Sequence, residues 1–259
     1  MCRLLAYLGP PVTLESLLFA PPHSLVRQSY APRHQRHGRV NADGFGVGWY
    51  DHELRPEPAR YRRDRPIWSD RSLASLAGLV RSGAVVAALR DATPPAAVEE
   101  SGSPPFTSGP WLFAHNGAVD GFVAGAGEAL RSALSERSRA QIEGDSDSAV
   151  VFAVVLDALD AGATAPEALD RAVGTVLAEA PARLNLLLTD GRQVVATAWG
   201  DSLFVLDRAG MAAGGVIVAS EPSDDSPDWR AVPDGSLVVA SPAGLSVRPL
   251  ASTPAPVRP

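Results

Sequence analysis

The spacing of apolar and polar positions changes several times along the chain, and each change predicts an element. A continuous apolar run from Arg3 to Leu8 predicts a buried strand, followed by a polar, arginine-rich loop to about Asn41. Asp43-Gly44 opens a second strand over 45–50, and a third is predicted over 59–63. Leu73, Leu76, Ala77 and Val80 share one face at helical spacing, which predicts a helix over 69–80. A buried strand over 84–89 leads into a Pro/Ser/Gly-rich loop over 93–110, long enough to suggest a functional segment, and then a strand over 111–114.

The stretch over 147–159 is apolar nearly all round, and its length favours a core helix despite its valines. Thr164-Ala165-Pro166-Glu167 is a capping box, and Leu169, Ala172, Val173, Val176, Leu177 and Ala180 form the stripe of the helix it starts. Strands are predicted over 184–188, 194–199, 203–206, 216–219, 237–240 and 245–247, with a turn at Asp190-Gly191. Strands, two consecutive helices, then strands again do not alternate as βαβ units would. An α+β architecture is expected, with two stacked antiparallel sheets and helices on both outer faces. No repeat or interior linker divides the chain, so residues 2–250 are expected to form one domain and the proline-rich 251–259 a frayed tail.

Composition narrows the function. Of 259 residues, 46% are apolar and 20% charged, which excludes disorder, collagen and coiled coil. The 23 basic and 29 acidic side chains give a net charge of −6, and that balance disfavours a nucleic-acid partner. No uncharged stretch approaches the roughly 20 residues that span a bilayer, so no membrane partner is expected. The first apolar run is broken by Pro10 and Pro11 before Glu15, too short for an export signal, and a cytoplasmic protein is the expectation. Every basic residue is arginine. The absence of lysine removes phosphate-loop, Schiff-base and Ser-Lys chemistry. The single cysteine excludes an internal disulfide and multi-thiolate metal sites and fits a reducing compartment.

That cysteine is Cys2, where removal of the initiator methionine leaves thiol and free amine on one carbon. An α-amino group titrates near pH ~7.7 to 8 and can take the thiol proton, so nucleophile and base come together in a chain without lysine. A cysteine of no special role ahead of a buried strand is the alternative. In Phe113-Ala114-His115-Asn116-Gly117 a strand is read as ending in an amide and a glycine. Such an end can stabilise an oxyanion, although Asn-Gly is also a favoured hairpin turn. Arg90 closes an apolar strand and suits a substrate carboxylate or an internal ion pair. Asp147, ahead of the greasy helix, suits a substrate ammonium or a helix cap. His115 is a possible base to a Cys-His pair. The five histidines form no metal set, and neither metal nor cofactor is expected.

Taken together, Cys2, the run from Asn41 to Trp49, Arg90 with Thr93, His115-Asn116-Gly117 and Asp147-Ser148-Ala149 resemble the class II glutamine amidotransferases, a family of N-terminal nucleophile hydrolases. Within it the chain looks closest to the ergothioneine-pathway hydrolases of γ-glutamyl-hercynylcysteine sulfoxide. Pro21-Pro22-His23, Gln28 to Arg33, Ala219 to Pro222 and Asp228-Trp229 carry that closer match. The resemblance implies a four-layer αββα fold and a small-molecule γ-glutamyl substrate cleaved through a thioester on Cys2. It further implies an oxyanion hole of Asn116 and the Gly117 N–H, with the α-carboxylate on Arg90, the α-ammonium on Asp147 and Thr93 at the pocket rim. Asp91 and Pro94-Pro95 depart from the family pattern beside Arg90. No residues remain for a fused synthetase, so simple hydrolysis is expected, with a glutaminase-type subunit and a silent binding module as alternatives. For the trimethylammonium of the leaving half, Tyr30, Phe45, Trp49, Trp68 and Trp111 are the aromatic candidates.

Overall fold

The structure, a computed structural model, describes residues 2–92, 96–208, 214–241 and 244–251. Thr93, Met1 and nearly all of the expected tail lie outside the described residues. Strand β1 (Arg3–Thr13) continues past its predicted end through Pro10 and Pro11. They fall where the register against its neighbour shifts, between Leu8 and Val12, a place that tolerates residues without an N–H. The predicted arginine-rich loop is not all loop. It begins with α1 (Leu14–Leu18) and α2 (Leu25–Gln28), capped by the Thr13 and Ser24 side chains, and these short helices bury Leu14, Leu17, Leu18 and Leu25.

β2 (Phe45–Trp49) and β3 (Ala59–Arg63) follow as predicted. α3 (Arg71–Ala77) is shorter than its apolar period, because Asp70 accepts from the Leu73 N–H and starts the helix after a turn at Ile67–Ser69. β4 (Arg81–Leu89) leads to β5 (Phe106–Ser108), a three-residue strand inside the predicted loop. β6 (Trp111–Val119) is longer than predicted. After it come α4 (Gly127–Ala133), α5 (Glu136–Arg139), α6 (Asp147–Asp160) and α7 (Ala165–Glu179). The Thr164/Glu167 capping box is present. The chain ends in β7 (Ala182–Thr189), β8 (Val194–Ala198), β9 (Phe204–Asp207), β10 (Val216–Ala219), β11 (Arg230–Ala231), β12 (Ser236–Ser241) and β13 (Gly244–Pro249).

Two antiparallel sheets result, ordered β11-β9-β10-β1-β4-β2-β3 and β13-β12-β8-β7-β6-β5. Three apolar layers separate four structural ones. Leu4, Ala6, Val86 and Ala88 of the first sheet meet Leu112, Ala114 and Leu187 of the second between the sheets. Tyr7, Val85 and Ala87 face outward onto α1, α2 and α3. Phe113, Leu186 and Leu188 face α6 and α7. The alternation along β1, β4 and β6 is the period-2 signature of strands covered on both faces. α6 buries eight consecutive residues, Ala149 to Leu156, which is why its valines remain helical between α7 and the sheet. The α+β sandwich of two antiparallel sheets expected from the sequence is the observed architecture.

Candidate active site

Cys2 stands one residue ahead of β1 and shares the parity of Leu4 and Ala6, which face the other sheet. Arg3 has the opposite parity and is fully buried. Its Nε donates to the Cys2 carbonyl at 2.8 Å, and its Nη1 lies 3.6 Å from Glu221 Oε2. Glu221, also fully buried, accepts the backbone N–H groups of Arg33 and His34. The His23 N–H donates to the Ser223 carbonyl and Gln28 Nε2 to the His23 carbonyl. The segments around His23, Gln28 to Arg33 and Ser220 to Pro222 are therefore one buttress behind the cysteine.

A cleft of about 590 Å³ opens in front of it, and Cys2, Arg90, Gly117 and Asp147 all line it. Burial pushes the Cys2 thiol up from its ordinary value; the positive charge at the chain terminus and the Asp91 N–H oppose that rise, and the Asp147 and Asp91 carboxylates add to it. The thiol is consequently neutral near pH 7, and nucleophilic attack from it requires an adjacent base.

Arg90 follows β4 directly and is 6% exposed. One terminal nitrogen, Nη2, donates to the Ala97 carbonyl at 2.9 Å, while Nη1 is buried with no hydrogen-bond partner among the described residues. No acidic side chain among the described residues pairs with it, so the alternative of an internal ion pair has no partner here. Gly102 packs against the guanidinium, and a Cβ there would come within 2.8 Å of Nη2. A buried guanidinium with an idle N–H group is equipped to receive an oxygen acceptor.

Asn116 and Gly117 correct the sequence reading. They form neither a turn nor a strand end; both lie inside β6, opposite Asn185 and Leu184 of β7. The Leu184 N–H donates to the Trp199 carbonyl, so that residue's polar groups face β8. On the other edge of β6, β5 reaches only as far as Phe113. The Val119 N–H uses that uncovered edge to donate to Asp147 Oδ2 at 3.1 Å, and strand parity puts the Gly117 N–H on the same edge. Gly117 is required by close approach, since a Cβ there would fall on the Arg183 carbonyl oxygen. Asn116 is fully buried behind the cleft lining, on the face of β6 that Ala114 turns to the other sheet and toward which Cys2 points by strand parity, and its Oδ1 has no hydrogen-bond partner among the described residues.

Asp147 is the first residue of α6, but it is not the cap: Ser146 Oγ accepts the Ala149 N–H. The Asp147 carboxylate accepts from Val119 N–H and from Ser148 N–H at 2.7 Å. His115 is a strut rather than a base. Its Nε2 can only donate to the Arg183 carbonyl at 3.0 Å, which leaves Nδ1 to accept from the Ser148 hydroxyl at 3.0 Å. Both nitrogens are occupied, and the ring is 2% exposed.

None of the five aromatic candidates lines the cleft; Phe122 does. Phe45 is in the core and Tyr30 packs edge-on against Trp68 outside it. Phe122 sits after β6 in a short wide-helix segment, Phe122–Ala126, and no periodicity in the sequence signals it. Ser148 belongs to a motif that carries the resemblance, but nothing in the sequence signals its contact with His115 or the Asp91 N–H at the thiol, because both are made only once the strands are stacked. Arg3 did carry one: a charge between residues of a buried strand needs a buried partner. No helix among the described residues is long and apolar enough to cross a membrane.

Comparison with known proteins bears on the same site. Residues 19–213 match the family model of class II glutamine amidotransferases. The chain is 43% identical over 250 residues to the gamma-glutamyl-hercynylcysteine sulfoxide hydrolase of Mycobacterium tuberculosis, covering 96% of this chain and 97% of that one. Among solved structures it is similar to a glutamine aminotransferase class-II domain protein from Silicibacter pomeroyi (TM-score 0.68, 27% identity, 96% of this chain and 100% of that one). It shares its fold with the glutamine phosphoribosylpyrophosphate amidotransferase of B. subtilis (TM-score 0.64, 15% identity, 96% of this chain and 49% of that one). With its cysteine, arginine, glycine and aspartate gathered at one cleft and this match across most of its length, the chain belongs to the class II glutamine amidotransferases.

Proposed function

We propose that this protein is an amidohydrolase that cleaves the γ-glutamyl amide of γ-glutamyl-hercynylcysteine sulfoxide, releasing glutamate and hercynylcysteine sulfoxide. The observation that carries the reading is the 43% identity over nearly the full length to a hydrolase of that name, joined to a cleft that holds a thiol, an idle guanidinium and a carboxylate together.

Removal of Met1 frees the Cys2 amine, which takes the thiol proton as sulfur attacks the γ-carbonyl carbon. Asn116 Nδ2 and the Gly117 N–H stabilise the charge that develops on oxygen. The amine then returns the proton to the leaving nitrogen, the C–N bond breaks and a glutamyl thioester remains on Cys2. Water adds to the thioester, giving one proton through the same amine to sulfur, and glutamate leaves. Arg90 Nη1 receives the α-carboxylate and Asp147 the α-ammonium. For Thr93, which lies outside the described residues, the family resemblance implies a substrate-binding role.

The volume of the cleft lies in the range of small-molecule sites. Among the described residues Arg90 is the one arginine lining it, against Asp91, Glu99, Asp120, Asp145 and Asp147. That field favours the cationic leaving half, and the Phe122 face can contact its quaternary ammonium. The same excess of acid disfavours nucleic acid, and the free thiol suits the cytoplasm. The test is steady-state hydrolysis of γ-glutamyl-hercynylcysteine sulfoxide beside free glutamine. A kcat/KM for the sulfoxide at least tenfold higher supports the reading, and a preference for glutamine redirects it to a glutaminase-type subunit.

A further inference from the structure

Cys2 and Asn116 belong to different sheets, and one hydroxyl joins the strands that carry them. Ser220, directly after β10, is fully buried. Its N–H donates to the Leu4 carbonyl at 3.0 Å and its Oγ accepts the Leu4 N–H at 3.0 Å, so it is locked to the residue two after Cys2. Asn116 Nδ2 lies 3.4 Å from the same Oγ. Asn116 Oδ1 is buried with no partner among the described residues.

A serine hydroxyl has one proton to give. With Nδ2 toward it, Ser220 Oγ receives two N–H donors while its own proton meets no acceptor among the described residues, and Oδ1 meets no donor. A half-turn of the amide resolves both faults: the Ser220 O–H donates to Oδ1, and the Nδ2 protons turn to the side on which the amide has no partner among the described residues. We infer that Ser220 is a positioning residue for the oxyanion hole, its hydroxyl held by Leu4 and fixing the Asn116 amide with oxygen toward Ser220 and nitrogen toward the reacting carbonyl. The inference rests on the oxyanion role proposed above for Asn116.

The test is a double-mutant cycle of Ser220→Ala and Asn116→Ala, read as kcat and KM separately, alongside alkylation of Cys2 by iodoacetamide, which forms no oxyanion. Ser220→Ala is expected to lower kcat about 10- to 100-fold with KM within about twofold and the alkylation rate unchanged. In the Asn116→Ala background it should add no further loss. Ser220→Thr keeps the hydroxyl and should hold kcat within about threefold, a readout that stands even where the alanine variant folds poorly. Equal losses in both backgrounds, alkylation slowed in parallel, or a threonine variant as slow as alanine would overturn the inference while leaving the role of Asn116 intact. Wild-type kcat in Asn116→Ala alone would remove the oxyanion reading itself, and this inference with it.

Discussion

The Val119 N–H donates to Asp147 Oδ2 at 3.1 Å, tying the free edge of β6 to the first residue of α6. The same edge carries the Gly117 N–H two residues earlier. One carboxylate therefore fixes the distance between the proposed ammonium subsite and the proposed oxyanion hole, and its charge also raises the Cys2 thiol.

Asp147→Asn removes the charge and keeps one acceptor oxygen, so one of the two backbone N–H bonds, from Val119 or from Ser148, is lost with it. KM for the γ-glutamyl substrate is expected to rise at least about tenfold, with unfolding free energy lowered by about 1 to 3 kcal/mol for the N–H left unpaired. Removing a carboxylate that holds the thiol up also lowers the thiol pKa, so Cys2 alkylation below pH 9 should become faster than in wild type. The pH profile of iodoacetamide labelling reads this directly; a slower variant contradicts the assignment.

For Arg90, activity and stability should part company. Nη1 has no hydrogen-bond partner among the described residues, so Arg90→Met removes a buried, half-satisfied charge and should change unfolding free energy by no more than about 1 kcal/mol. Its kcat/KM should fall by about 100-fold or more, and Arg90→Lys should not restore it, since an ammonium cannot offer the planar fork to a carboxylate. Denaturant melts alongside kinetics decide the matter: near-wild-type kcat/KM in Arg90→Met would return the residue to a structural role.

Gly117→Ala should fail by a different route. Its Cβ would meet the Arg183 carbonyl and lie 2.5 Å from His115 Nε2, so β6 must move away from β7. A loss of about 1 to 3 kcal/mol in unfolding free energy is expected, with loss of turnover. A variant as stable as wild type would show that the strands do not approach so closely.

What the sequence revealed follows the range of the interactions involved. α6 and α7 were legible because Ser146, the Thr164 box and the apolar stripe act within one helix. β1 reads short in the sequence because Pro10 and Pro11 suggest a break where the sheet accommodates them at a shift of register. α1 and α2 leave no pattern in the sequence because four or five residues carry too little periodicity, and their burial of Leu14 and Leu25 comes from the sheet beneath. At the site, Cys2, Arg90 and Asp147 stood out by residue type and position. Asn116-Gly117 reads as a strand end because local propensity favours a turn, whereas pairing with β7 carries the strand on to Val119. The role of Ser220 had no local signal, since its partners Leu4 and Asn116 are 216 and 104 residues away.

The central claim is that Cys2 carries the glutamyl group while its own amine moves the proton. Acid-quenched turnover analysed by intact mass and peptide mapping tests it most directly. The account predicts a chain that begins at Cys2, a trapped adduct of one glutamyl residue on that cysteine, and neither adduct nor turnover in a folded Cys2→Ala variant. Full turnover by Cys2→Ala, or full activity from a chain that retains Met1, would contradict it.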